Sequence, residues 1–306
     1  MEPIISPIHV KLIENELAPD KFVRKTNVGD NSIYILNAHN APNTMLEIGR
    51  LREVTFRNAG GGTGKSVDID EYDTAENPFQ QLIVWSEAEQ EIVSAYRFIL
   101  ATDVPLDANR YPHTPTSKLF HYSDQFIQDQ WIKCIELGRS FVQPKYQATA
   151  GRRKGLFALD NAWDGLGALI NSYPKVDYFI GKMTIYDNYN RAARQLILDF
   201  LDKYFKGDTE LIYPAVPAEI PYNPDLVENP FRVSNNTLDE DFKLLNQKVR
   251  ELGEKIPPLI KTYLSLSPSI KYFGIVPNRD FGSVEEISIL INISEIYEKK
   301  KYRHVK

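Results

Sequence analysis

The sequence predicts a mixed α/β domain, α+β in its order of elements: a central sheet flanked by helices, with a proline-rich insertion and a C-terminal helix–strand extension. Three observations predict it. Apolar residues recur in the order strand, helix, three strands, helix, strand, helix, insertion, helix, strand, which breaks the strict βαβ alternation of a doubly wound fold. With 306 residues, 42% of them hydrophobic and 25% charged, the chain can bury a substantial core. Pro214, Pro217, Pro221, Pro224 and Pro230 crowd one stretch and exclude a helix or central strand there.

Residues 8–13 alternate loosely and predict an edge strand, and residues 32–36 (SIYIL) a short strand. Residues 45–56 carry Leu46, Ile48, Leu51, Val54 and Phe56 near helical spacing, followed by a glycine-rich loop over 58–64. Residues 81–86 and 91–100 form a predicted hairpin around Ser86-Glu87-Ala88-Glu89-Gln90. Residues 103–115 are a proline-rich loop, and a strand over 132–142 ends before Pro144. A helix over 155–173 is stopped by Pro174. A strand over 178–185 and a helix over 190–205 complete a core spanning 1–205. After the insertion (206–237), a helix over 238–252, a short apolar segment over 259–266 and a strand over 287–293 make the segment 238–306, expected to complete the same domain.

Several function classes are excluded or disfavoured. No uncharged apolar run approaches the roughly 20 residues of a membrane span, and the first residues carry Glu2, Lys11 and Glu14 rather than a secretory signal, so a cytoplasmic protein is expected. The single cysteine, Cys134, rules out an internal disulfide, and its apolar setting reads as a buried thiol. A net charge of −5 argues against general nucleic-acid binding. The five histidines show no metal-ligand spacing, so no metal is expected. Two local basic runs stand out, Arg152-Arg153-Lys154 and the tail containing Lys299, Lys300, Lys301, Arg303 and Lys306, the latter read chiefly as solvated.

Ala59-Gly60-Gly61-Gly62-Thr63-Gly64-Lys65-Ser66 satisfies a relaxed phosphate-loop pattern. Such a loop needs a strand before it and a helix after it. Here a helix-like segment precedes, and four carboxylates follow between Asp68 and Asp73, which would repel a polyphosphate. The loop is read as a surface loop rather than a nucleotide site.

The chemistry-bearing residues are Arg52-Glu53-Val54-Thr55-Phe56, Asp70-Glu71-Tyr72-Asp73, Tyr96-Arg97-Phe98 and Glu136-Leu137-Gly138-Arg139-Ser140-Phe141-Val142. In this order they resemble the acyl-carrier-protein-dependent branch of the GNAT superfamily, which includes acyl-homoserine-lactone synthases and the hemolysin-like ornithine and glycine N-acyltransferases of aminolipid synthesis. The resemblance runs from about residue 51 to 185. Ile256-Pro257-Pro258-Leu259-Ile260-Lys261-Thr262-Tyr263-Leu264 and the Asp280-Phe281-Gly282 turn resemble the aminolipid branch in particular. The tryptophan that homoserine-lactone synthases place before the acidic motif is missing from 57–67.

Arg52, Asp70, Asp73, Arg97, Glu136 and Arg139 supply three cations and three anions, and a buried network of that kind is costly unless paired. Arg52, Asp70, Asp73 and Arg97 fit structural stapling and substrate positioning equally. Asp68 and Glu71 read as solvated. Glu136 lies mid-strand between Ile135 and Leu137, and a carboxylate there suits a base or amine-orienting group. The resemblance implies an oxyanion donor near a bulge in this strand, placing it at 138–141, with Gly138 the residue suited to the bulge. It also implies that Arg139 and Ser140 act with Glu136, and that Phe56, Phe141 and Val142 help bind substrate. Tyr178, Tyr186 and Tyr189 are candidate proton donors to the leaving thiol. Arg152, Arg153, Lys154 and Gly155 precede a predicted helix, where a phosphopantetheine phosphate or an acidic carrier protein would bind.

The resemblance therefore implies an enzyme with no resident cofactor, using acyl-carrier protein or acyl-CoA as co-substrate. It would move a fatty or 3-hydroxy fatty acyl group to the α-amine of ornithine or glycine, with peripheral contact at the inner membrane. The alternatives are a homoserine-lactone-type signal synthase and a non-catalytic or membrane-active hemolysin-like protein.

Overall fold

A computed structural model describes residues 1–147, 157–218, 220–223 and 225–305. The strands are β1 (Phe22–Lys25), β2 (Ser32–Leu36), β3 (Gln80–Ser86), β4 (Glu91–Leu100), β5 (Phe120–Tyr122), β6 (Cys134–Val142), β7 (Tyr178–Tyr186), β8 (Ile212–Pro214), β9 (Lys271–Asn278) and β10 (Val284–Asn292). The helices are α1 (Val10–Glu16), α2 (Pro42–Ala59), α3 (Glu71–Thr74), α4 (Asp124–Asp129), α5 (Ala158–Ser172), α6 (Arg191–Tyr204), α7 (Leu238–Glu251), α8 (Pro258–Leu264) and α9 (Glu298–His304). Eight strands form one sheet in the order β1-β2-β3-β4-β6-β7-β10-β9, so the fold is the expected mixed α/β one with helices on both faces. β5 and β8 make a separate two-stranded ladder, which gives the proline-rich stretch one short extended piece.

Alternation along the strands sorts the core. Tyr96, Phe98, Ile135, Leu137, Met183 and Ile287 pack with α5, α6 and α8 on one face. Ile83, Trp85, Ala95 and Phe141 meet Met45, Ile48, Leu51 and Phe56 of α2 on the other. Burying such side chains supplies the main driving force, about 1.5–3 kcal/mol for each large one. Helix α5 lies so close to the sheet that a Cβ on Gly165 would sit 2.3 Å from Leu82 Cδ2.

β6 and β7 are parallel neighbours, but their pairing runs only from Cys134↔Tyr178 to Leu137↔Gly181. Beyond it, β6 stays with β4 while β7 stays with β10, so the sheet splits down its middle. At the start of the split, Arg97↔Gly138 is followed by Ala95↔Phe141, which leaves one extra residue on β6, a bulge. Arg139 carries it at φ 46. The bulge falls within the expected 138–141, but its left-handed residue is Arg139 rather than Gly138.

Other expectations need correcting. Residues 8–13 form no edge strand. His9 caps α1, its ring accepting from Lys11 N at 3.2 Å, and Ile13 is buried against α2 beside Val10 and Leu17. The apolar spacing there is helical, and a six-residue window read it as alternation. Strand β9 carries Gly274 at φ 106 and Pro277, both strand breakers in isolation. It tolerates them because it is the sheet's last strand, with one side unpaired in the main ladder. Two cations of the basic tail make ion pairs, Lys301 with Glu298 and Arg303 with Asp160, while Lys299 and Arg303 are exposed as expected. Among the described residues no helix is long and apolar enough to cross a membrane.

Candidate functional site

The split between β6 and β7 opens into a cavity of about 840 Å³. Phe56, Asp70, Arg97, Glu136, Lys182, Tyr186 and Phe281 line it from the α2 face, and Tyr96, Leu159, Pro258, Leu259 and Tyr263 from the opposite face. A cavity lined from both faces of one sheet exists because the ladder has been interrupted there. Ser140, Phe141 and Val142 form its β6 wall.

On the α2 side, the expected charges converge. Arg52 is fully buried; Nη1 donates to Asp73 at 2.9 Å and Nη2 to Gln81 Oε1 at 2.6 Å. Arg97 Nη1 donates to both Asp70 oxygens at 2.8 Å and to Asp73 at 3.2 Å. Asp70 and Asp73 are held by a reciprocal capping box at the start of α3, so one turn aims Asp73 at both arginines and Asp70 at Arg97. Burial alone would raise the Asp73 carboxyl, but Arg52 and Arg97 override it and hold it well below the usual carboxylate range. In the same way Asp70 and Asp73 overcome burial and raise Arg97.

Asp68 is not solvated as the sequence reading had it. It is fully buried and pairs with Arg139 Nε at 2.9 Å. The reason is Gly49: with Asp68 N donating to Gly49 O at 3.1 Å, the chain crosses α2 where a Cβ would sit 2.5 Å from Val67 Cγ2. Glu71 is exposed. The Arg139 guanidinium stacks 4.2 Å from the Phe281 ring centroid, and Phe56 meets Phe281 edge to face.

Glu136 is 1% exposed. Its Oε1 accepts from Thr116 N at 3.0 Å and Thr116 Oγ1 at 2.7 Å, while Oε2 is buried without a hydrogen-bond partner among the described residues. Lys182 Nζ donates to Thr116 Oγ1 at 3.2 Å. Burial lowers the Lys182 pKa; Glu286 and Glu136 oppose the shift, whereas Arg97 and Arg139 add to it. Of the three candidate tyrosines, Tyr186 lines the cavity. Burial and then Glu286 push its phenol up to about 12. Tyr189 donates to Lys255 O, and Tyr178 packs in the cluster around Trp131.

Sequence reasoning missed Thr116, Lys182 and Glu286. Lys182 had a signal, a lone cation inside the apolar run Tyr178–Tyr186; Thr116 had none inside a proline-rich loop. Arg152, Arg153, Lys154 and Gly155, expected to bind the phosphopantetheine phosphate or the carrier protein, lie outside the described residues, and the described part of the predicted helix is α5 from Ala158. Cys134 is buried, its thiol pushed well up by burial and then by Glu136.

The glycine-rich loop has its amide groups occupied from within. The buried Glu53 carboxylate accepts from Thr63 N, Thr63 Oγ1 and Gly64 N at 3.1, 2.8 and 2.7 Å. Arg57 holds Glu53 at 2.6 Å. A helix also precedes the loop, ending at Gly60 with φ 99.

Residues 51–154 match the family described as Acetyltransferase (GNAT) domain. A protein of Bacteroides thetaiotaomicron named glycine N(alpha)-acyltransferase is 50% identical over 305 residues, covering 100% of this chain and 90% of that relative. One of the same name from Phocaeicola vulgatus is 48% identical, covering 100% and 93%. No solved structure matches the chain. An interrupted sheet with a cavity through the gap, and full-length relatives at this identity, lead to one conclusion: the chain belongs to the GNAT family and is an acyltransferase.

Proposed function

We propose that this acyltransferase moves a fatty acyl group from a carrier-protein thioester onto the α-amine of glycine, forming an N-acylglycine of the aminolipid type. The observation that carries the reading is the cavity through the split sheet, with a buried carboxylate, Glu136, on its wall. Because it is lined from both faces of the sheet, an extended thioester arm and an amine can approach from opposite faces. The glycine acceptor follows the names of the two relatives. The carrier-protein donor rests on the sequence resemblance and on the Arg152-Arg153-Lys154 run, whose three cations suit one phosphate or an acidic protein surface.

In this mechanism the glycine ammonium gives a proton to Glu136 Oε2, directly or through a water, and the freed amine attacks the thioester carbonyl. Thr116 holds Oε1 with two donors, which fixes the carboxylate and leaves Oε2 for the amine. Charge developing on the carbonyl oxygen meets a backbone N–H freed from the ladder at the Arg139–Ser140 bulge. Collapse forms the amide and expels the thiolate, which takes a proton from the Tyr186 phenol on the cavity wall, and the second proton leaving the attacking nitrogen restores that phenol. Arg52, Asp70, Asp73, Arg97 and Arg139 hold the α2 face in register with β6. Phe56, Phe141 and Val142 supply apolar wall for the acyl chain.

Purified protein incubated with long-chain acyl-carrier protein or acyl-CoA, and glycine, ornithine or a homoserine derivative in turn, decides the matter. Thiol release and the amide mass are followed together. Amine-dependent release with glycine, faster from the carrier protein, is the expected result. Preference for ornithine or homoserine would replace the acceptor, and release independent of any amine would overturn amide synthesis.

A further inference from the structure

Several features outside the proposed chemistry were candidates for a second role: the groove between α7 and α8 with Lys243, Arg250 and Lys261, the glycine-rich loop, and Cys134. The groove is open surface, the loop is filled by Glu53, and the thiol is buried. Lys182 is different. It lies on the cavity wall, on β7 just past the point where β7 parts from β6, and no part of the mechanism above uses it.

We propose that Lys182 binds the carboxylate of the amino-acid acceptor, so that Glu136, Thr116 and Lys182 together read an α-amino acid as a zwitterion. The inference rests on the acyl-to-amine reading and adds a second recognition point to it.

The ammonium of Lys182 has three donors. One goes to Thr116 Oγ1, and among the described residues no carboxylate comes within the 4.0 Å of an ion pair. The other cations on this side of the cavity are differently placed. Arg97 and Arg139 are held by Asp70, Asp73 and Asp68, Lys118 pairs with Asp280 at 2.6 Å, and Lys65 is exposed at the rim. Glu286, the neighbouring carboxylate on β10, is taken up by Thr184 Oγ1 at 3.1 Å and Asn278 Nδ2 at 3.2 Å. A desolvated cation with unmet donors gains most from an anionic ligand, because water screens that attraction least inside a cavity.

Geometry links this cation to the amine site. Thr116 Oγ1 donates to Glu136 Oε1 at 2.7 Å and accepts from Lys182 at 3.2 Å, so one hydroxyl fixes the separation of an anion and a cation. Glu136 Oε2 and the free Lys182 donors then face the two ends of a ligand whose ammonium and carboxylate are joined by one carbon. An amine lacking a carboxylate would leave Lys182 unpaired and part-buried on the cavity wall. That is the arrangement by which a polar site rejects an analogue.

The test compares glycine with glycinamide, and ornithine with ornithinamide, on wild type, Lys182→Met and Lys182→Arg. Wild type is expected to favour each acid over its amide by about 10–150-fold in kcat/KM, the range of a hydrogen bond to a charged group. In Lys182→Met that preference collapses to within about threefold. The KM for glycine rises by a similar factor of about 10–150, while kcat and the KM for the acyl donor hold. Lys182→Arg restores part of the preference. Should wild type use amide and acid equally, or Lys182→Met keep the wild-type preference, the proposal is overturned. A Lys182→Met variant with unchanged KM but lower kcat and a shifted pH profile also overturns it, in favour of a proton-transfer role. If no amine is acylated, the acyl-to-glycine reading fails separately. Calorimetric binding of glycine, lost in Lys182→Met, then supports the site, and equal or absent binding in both proteins overturns it.

Discussion

Two charged groups share one wall of the cavity and are built on opposite principles. Around Arg52, Asp73, Arg97 and Asp70, charge meets charge: both guanidiniums are carboxylate-bound, and Gln81 bridges Arg52 and Asp73, accepting from the first and donating to the second at 3.0 Å. Around Glu136, Thr116 and Lys182, a single neutral hydroxyl stands between anion and cation, leaving one carboxylate oxygen unpartnered and the ammonium without an ion pair among the described residues. Burying charges is tolerable when they neutralise one another and costly when they do not. The first cluster therefore has its compensation inside the fold. The second waits for compensation from a ligand. Both lie largely buried on one side of one sheet, so burial alone does not separate scaffold from machinery; charge left without an opposite charge among the described residues does.

Substitutions that keep shape and remove charge put the contrast at risk. The largest effect is expected from Glu136→Gln. It should lower kcat by about 10²–10⁴-fold, the range for losing a general base, with a melting temperature close to that of the wild type. A variant with normal turnover would move Glu136 into the scaffold. Asp73→Asn should show the reverse pattern. It leaves Arg52 without its carboxylate partner and should cost about 3–5 kcal/mol of stability, read from denaturant midpoints. Its pH dependence has a definite sign. The Asp73 carboxyl is depressed in the folded state, so its contribution is fully present above the unfolded value of about 3.9 and is lost as the pH falls through the lower folded value. The gap between wild type and Asp73→Asn should thus stay flat from about pH 5 to 8 and close only in stronger acid. A gap that narrows near neutrality would contradict the ion-pair account.

The same contrast explains what could be read from residues alone. Arg52, Asp70, Asp73, Arg97, Glu136 and Arg139 are charges inside or beside apolar segments, and that pattern announces a buried network before any coordinates exist. The central strands and the long helices were legible because their apolar periods run for seven residues or more. Residues 10–16 and 271–278 were not: the first is too short to separate two periods, and the second hides its strand behind Gly274 and Pro277. Asp68 looked solvated because its burial depends on a close crossing over Gly49, a contact with no local signature. Thr116 and Lys182 escaped for a related reason. Their meaning comes from a loop folding across β6 and from the parallel register Leu137↔Gly181, which puts Lys182 beyond the last paired residue. Lone charges point to a network, but which of them is left unsatisfied is a tertiary property.

Thr116→Val gives the smallest predicted effect and the sharpest discrimination between the two clusters. Valine keeps the volume and the backbone N–H that donates to Glu136 Oε1, and removes only the hydroxyl that accepts from Lys182 and donates to Glu136. Loss of that hydroxyl should cost about 1–3 kcal/mol, roughly 5–150-fold, the penalty for leaving buried polar groups unmet. How the loss divides is the informative part. If the hydroxyl only fills space in the scaffold, unfolding free energy falls and kinetic constants hold. If it sets the distance between amine and carboxylate sites, stability changes little, the KM for glycine rises, and glycinamide, which does not engage Lys182, is affected less than glycine. Measuring unfolding and both kcat/KM values on one preparation separates the two, and an equal loss with glycine and glycinamide would show that Thr116 serves Glu136 alone.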